Sequence, residues 1–113
     1  MGDDQRPTLT VTYPEPGTNP PLTRIRVGMC DAYTGLNMHS FRVVADFAVD
    51  GTAAGANLAD KFKPKSPGVW ELALAKPITD LSRGRLFVSV RDNAMNTSRV
   101  ERTFSVKPAN AWR

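Results

Sequence analysis

The stretch LFVSVRDNAMNTSRVERTFSV, residues 86–106, decides the fold. Leu86, Val88 and Val90 alternate with Phe87, Ser89 and Arg91, and beyond the polar run Asp92–Asn96 the apolar positions Val100, Phe104 and Val106 share one side. Two segments of period two about a short polar loop predict an antiparallel hairpin with one apolar face.

The same alternation recurs toward the N-terminus. TLTVTY (8–13) places Leu9, Val11 and Tyr13 on one face, then PEPGTNPP stops the strand, because prolines cannot donate to a ladder. LTRIRVGMC (22–30) turns Ile25, Val27 and Met29 inward and Arg24 and Arg26 outward. FRVVADFAVDG (41–51) reads as one long strand with Phe41, Val43, Ala45, Phe47 and Val49 inward, closed by an Asp50-Gly51 turn. GANLADKFK (55–63) is weaker, anchored by Leu58 and Phe62, and fits a short strand or an irregular edge. VWELALA (69–75) then places Trp70, Leu72 and Leu74 on one side. Seven short strands around one core predict an all-β, immunoglobulin-like antiparallel β-sandwich. About twenty inward apolar side chains supply enough burial to hold it without a disulfide or a metal.

The chain has 113 residues, which suits a single domain, with its core at about 8–107 and tails or linker at 1–7 and 108–113. No apolar run approaches the roughly 18 residues of a membrane span. The net charge is +4, but the basic residues are scattered from Arg24 to Arg102 rather than clustered with aromatic platforms, so no nucleic-acid partner is expected. Cys30 is the only cysteine, which excludes an internal disulfide, and MGDDQRPT lacks the apolar core of a signal peptide. We expect a segment of a larger chain.

Two stretches carry a family resemblance. VGMCDAYTGLN (27–37) resembles the end of the second strand and the following loop in bacterial immunoglobulin-like repeats, which are related in fold to fibronectin type III modules. LSRGRLFVSVRDNAMNTSRVERTFSV (81–106) is similar to their final hairpin. The resemblance implies a non-catalytic spacer or domain-contact module of an exported bacterial protein, placed outside the cell, at its surface or in the periplasm. Met95 stands where the resembling pattern has glycine, so the left-handed position at the hairpin tip is expected at Asn93 or Asn96 instead. Leu86 replaces the tyrosine many sandwiches carry at that corner, leaving plain packing.

Three groups of residues are weighed as sites. The sandwich topology brings the loops bearing Asp31, Asn37, Asp92, Asn93 and Asn96 to one pole, and oxygen ligands of this kind suit Ca²⁺. Lys63 and Lys65, expected on the neighbouring loop, argue against a cation there, and Asp31 and Asp92 are read as strand-ending acceptors of backbone N–H groups. Cys30 and His39 lack a third group to orient the imidazole, so no nucleophile is assigned and a buried or half-buried thiol is expected. Glycines Gly28, Gly35, Gly51, Gly55 and Gly84 fall singly, with no phosphate-cradling loop, and no cofactor, metal or catalytic residue is assigned. The third group is the outer face of the sheet built on the final hairpin, where Arg42, Val44, Ala48, Phe87 and Arg91 project. Arginine beside an exposed aromatic is the composition of an interface, so contact with a neighbouring domain or another protein is expected there. A carbohydrate- or protein-binding accessory domain of a secreted hydrolase is the alternative, with Tyr33, Phe87 and Trp112 as its aromatics.

Overall fold

A computed structural model describes residues 6–30 and 35–108, and within them the alternation is realised as two packed sheets. The strands are β1 (Thr8–Tyr13), β2 (Gly17–Asn19), β3 (Leu22–Cys30), β4 (Leu36–Ala45), β5 (Lys63–Ser66), β6 (Val69–Ile78), β7 (Leu81–Asp92) and β8 (Thr97–Val106). One sheet has the order β1-β3-β6-β5 and the other β2-β8-β7-β4. All neighbours are antiparallel except β2 and β8, which run parallel. The protein is an all-β sandwich.

The core is the set of side chains the alternation selects. Ile25, Val27 and Met29 of β3 and Leu72 and Leu74 of β6 face Phe41, Val43 and Ala45 of β4, Leu86, Val88 and Val90 of β7, and Phe104 and Val106 of β8. Phe47 meets Phe104 edge to face at 5.6 Å between ring centres, and Phe41 meets Phe62 in the same way at 5.5 Å. Such geometry sets the positive edge of one ring against the negative face of the other. Trp70 is half-buried against this core.

Three features depart from the expected strands. First, the proline-rich segment does not simply end a ladder but carries the chain from one sheet to the other, where β2 pairs with β8. Asn19 fixes this crossing from a buried position. Its Oδ1 accepts the Glu15 N–H, and its Nδ2 donates to the carbonyls of Glu15, Gly17 and Ser105. One side chain thus satisfies backbone groups that a regular strand would have paired.

Second, the strand expected over 41–51 runs instead from Leu36 to Ala45. Beyond it, Asp46 bonds the Arg85 backbone by both its own N–H and its side chain, and the segment leaves the ladder. Phe47 and Val49 still point into the core, whereas Ala48 lies past the end of the sheet. Asp50 and Gly51 make the expected turn, with φ of 47° and 81° and reciprocal hydrogen bonds between Val49 and Thr52. This is the two-residue turn whose twist matches that of its flanking strands. The Asp50 carboxylate also accepts the Lys76 and Ala75 N–H groups, which hold it below the usual carboxylate range despite some opposing desolvation.

Third, residues 55–62 form an irregular edge with a 3₁₀ turn at Ala59–Lys61. Leu58 and Phe62 are its buried anchors, and Asn57 Oδ1 accepts the Val43 N–H, so the free edge of β4 is covered. At the far edge of the other sheet, β5 is KPKS. Lysine and proline discourage a further strand from pairing there.

The β7–β8 hairpin closes through a three-residue loop. The Met95 N–H donates to the Asp92 carbonyl, the Asp92 N–H donates to the Asn96 carbonyl, and Met95 has φ of 72°. The left-handed residue is therefore Met95 and not Asn93 or Asn96. The register Arg91↔Thr97 fixes which residue must make the bulge, and that position is 95 whatever side chain it carries. Because an L-residue is strained there, Met95→Gly is expected to raise stability by about 0.5–1 kcal/mol, read as a higher urea midpoint at unchanged slope. The Met95 side chain is 64% exposed, so its removal loses little packing.

Candidate functional site

The register of β4, β7 and β8 arranges the outer face of their sheet in rows. Arg42 stands opposite Ser89, which stands opposite Arg99. In the next row Val44, Phe87 and Glu101 are aligned, and one period the other way Asn37, Arg91 and Thr97. On this face lies a shallow groove of about 410 Å³ lined by Arg42, Phe87, Ser89, Arg99 and Glu101. A second hollow of about 280 Å³, lined by Ser40, Ser89, Arg91, Thr97 and Arg99, adjoins it through Ser89 and Arg99.

Phe87 is 40% exposed, and Arg42 and Arg99 are exposed as well. Arg85 and Glu101 pair at 3.7 Å. Arg42, Arg91 and Arg99 have no carboxylate partner among the described residues. Uncommitted guanidinium forks beside an exposed ring and hydroxyl groups can bind planar or tetrahedral anions while an apolar group packs against the ring. Of the expected interface residues, Arg42, Val44, Phe87 and Arg91 do lie on this face, and Ala48 does not. Arg99 and Ser89 escaped sequence reasoning, although their odd positions in the quoted stretch already set them opposite to Val88 and Val100.

The loop pole is a structural corner. Asp92 is fully buried; its Oδ1 accepts the Ala94 and Asn96 N–H groups at 2.9 and 2.8 Å, and its Oδ2 accepts Asn96 Nδ2 at 3.0 Å. Asn93 donates its N–H to the Gly35 carbonyl, tying the two loops together. Asp31 and Tyr33 fall outside the described residues, as does Trp112. No group of three or more His, Cys, Asp or Glu side chains is suited to hold a metal among the described residues. Lys63 and Lys65 belong to β5 rather than to a loop, and Lys65 lies 3.7 Å from Glu71 on the outer face of the other sheet. Cys30 is exposed rather than buried, because the inward phase of β3 at Ile25, Val27 and Met29 turns residue 30 outward.

Glu71 is the electrostatic centre of that second outer face. Directly opposite Arg26, it accepts Arg26 Nε at 3.0 Å, with Arg24 and Lys65 near. The hydrogen bond from Arg26 lowers the Glu71 carboxyl below its ordinary range, overcoming desolvation, and the surrounding positive charges add to the lowering. A depressed folded-state value contributes stability that is present above the unfolded value and lost as pH falls through the folded one. Glu71→Gln is therefore expected to cost about 1 kcal/mol near pH 7 and to match the parent protein at about pH 2, as compared by urea titration. An equal cost at both pH values would assign the effect to packing.

By sequence, no protein-family model and no curated protein matches the chain. By structure it is similar to part of the endo-β-1,4-mannanase from Thermotoga petrophila, with a TM-score of 0.65 and 10% identity over 95% of this chain. The match spans about a fifth, 21%, of that enzyme's chain. It is similar to part of dimeric latent PorU from Porphyromonas gingivalis, with a TM-score of 0.61 and 17% identity over 96% of this chain and 11% of that one. It also resembles CopC from Methylosinus trichosporium, with a TM-score of 0.59 and 10% identity, covering 91% of this chain and 95% of CopC. At such identities the likeness defines the class, a β-sandwich domain of about this size. The fold occurs both as a small part of long chains and as nearly a whole protein. Among the described residues no helix is long and apolar enough to cross a membrane.

Proposed function

We propose that the protein is a non-catalytic β-sandwich module of a larger exported or cell-surface protein, and that it works by contact through the outer face of β4, β7 and β8. The observation that carries this reading is the groove on that face, where exposed Phe87 lies among guanidinium groups that no described carboxylate neutralises. A central aromatic with flanking arginines is the composition of an energetic hot spot. The sandwich supplies rigidity, because every residue of the face is held by a ladder whose other side is core. The occurrence of similar domains within the long chains of the mannanase and PorU is in keeping with a module. A sugar-binding accessory role is less well supported, since a platform needs several exposed rings and Phe87 is the exposed one among the described residues.

The test is site-specific cross-linking in the cell that makes the protein. A photoreactive phenylalanine analogue at position 87 is expected to give a discrete adduct with a neighbouring domain or another protein. The same analogue at position 73, exposed on the opposite sheet, should give none. Equal yields from the two positions, or none from position 87, would remove this face as an interface.

A further inference from the structure

Resting on the reading of this face as an interface, we propose that its partner is an acidic peptide segment, bound extended along β7 between β4 and β8 with carboxylates on Arg42, Arg91 and Arg99. Charge complementarity carries the choice. Arg42 and Arg99 line the groove and Arg91 and Arg99 the adjoining hollow, none with a described carboxylate partner, while the acidic side chain lining the groove, Glu101, is engaged by Arg85. On the other sheet Arg26 is paired with Glu71. Here the pairing is left open.

The spacing selects a peptide. Arg42, Ser89 and Arg99 form one row across three strands. Adjacent strands lie about 4.8 Å apart, so two forks about 10 Å apart at their bases can lean over the Ser89 hydroxyl between them. Arg91 lies one alternation further along β7, about 6.7 Å away. An extended peptide repeats its same-side groups with that same period, so carboxylates at every second position meet first Arg91 and then the Arg42–Arg99 row. Phe87 and Val44, in the row beyond, offer an apolar surface to the next same-side residue. Each fork donates two parallel N–H groups to a carboxylate.

The probe is a blocked decapeptide of alternating glutamate and serine, titrated into the intact protein and followed by amide and arginine Nε–H NMR signals. Shifts confined to Phe87, Ser89, Arg91, Arg99 and their row neighbours are expected. Arg99→Gln should weaken binding about fivefold, whereas Lys63→Gln, which removes equal charge from the opposite sheet, should change it less than about twofold. Equal weakening by both variants would reduce the effect to net charge and overturn the proposal. So would the absence of shifts at millimolar peptide, or binding at this face of a sulfated oligosaccharide but not the peptide. Cross-links from position 87 that persist when the peptide fails leave the interface standing and discard only the acidic partner; peptide binding without such cross-links discards the interface in the cell.

Discussion

Gly84→Val is expected to cost about 3 kcal/mol, a large part of the stability of a domain this size, and to lower Tm by about 10 °C or more. Gly84 lies within β7, in phase with Leu86 and Val88, so any side chain there points into the core. A Cβ at this position would lie 2.5 Å from Leu81 Cδ2 and 3.1 Å from both Phe104 Cζ and Phe47 Cε1. The leucine terminus can swing away. The two rings cannot do so cheaply, because each braces the other edge to face and both are buried. Gly84→Ala should cost about 1–2 kcal/mol, and Leu81→Ala introduced with it should recover part of that loss, a coupling a double-mutant cycle reads directly. Additive costs would show that the leucine is not the obstacle.

The second large effect is expected at Asp92. Asp92→Ala should cost about 2 kcal/mol, since a buried carboxylate that accepts two backbone N–H groups and the Asn96 amide disappears from the hairpin corner. Asp92→Asn separates geometry from charge. Its oxygen can still serve the Ala94 and Asn96 N–H groups, but its NH₂ then faces the Asn96 NH₂, donor against donor. An intermediate cost of about 1 kcal/mol follows. Thermal melts of the three proteins in calcium and in chelator add a check. A calcium-dependent shift in the parent protein that Asp92→Ala abolishes would show that the carboxylate holds a cation rather than the turn.

Neither effect depends on the proposed interface, and the contrast shows which parts of the molecule a sequence writes locally. The inner faces of β3, β6, β7 and β8 were legible because burial on a strand follows the parity of residue number, a property each segment carries by itself. The Asp50-Gly51 turn and the strand-ending role of Asp92 were legible for a similar reason, since both rest on bonds between residues close in the chain. Part of the outer face of β4, β7 and β8 was legible too: the placement of Arg42, Val44, Phe87 and Arg91 on it follows from parity alone.

What parity cannot give is which strands become neighbours and in what register. Arg99 gains meaning only once β8 aligns it with Ser89 and Arg42, residues from three strands that no local pattern connects. β2 is invisible in Gly17-Thr18-Asn19 because its pairing partner lies at the other end of the chain and Asn19 replaces part of the ladder with side-chain bonds. Met95 adopts a glycine-like conformation because hairpin register, a cooperative property of two long strands, outweighs the preference of one residue. Gly84 stands singly in the sequence with nothing local to mark its role, which is to leave room for two rings brought together by the packing of the sandwich. The amino-acid order thus set the side-chain faces and the tight turns. Tertiary pairing, which acts between residues far apart along the chain, assembled the charged groove and chose the strained and crowded positions.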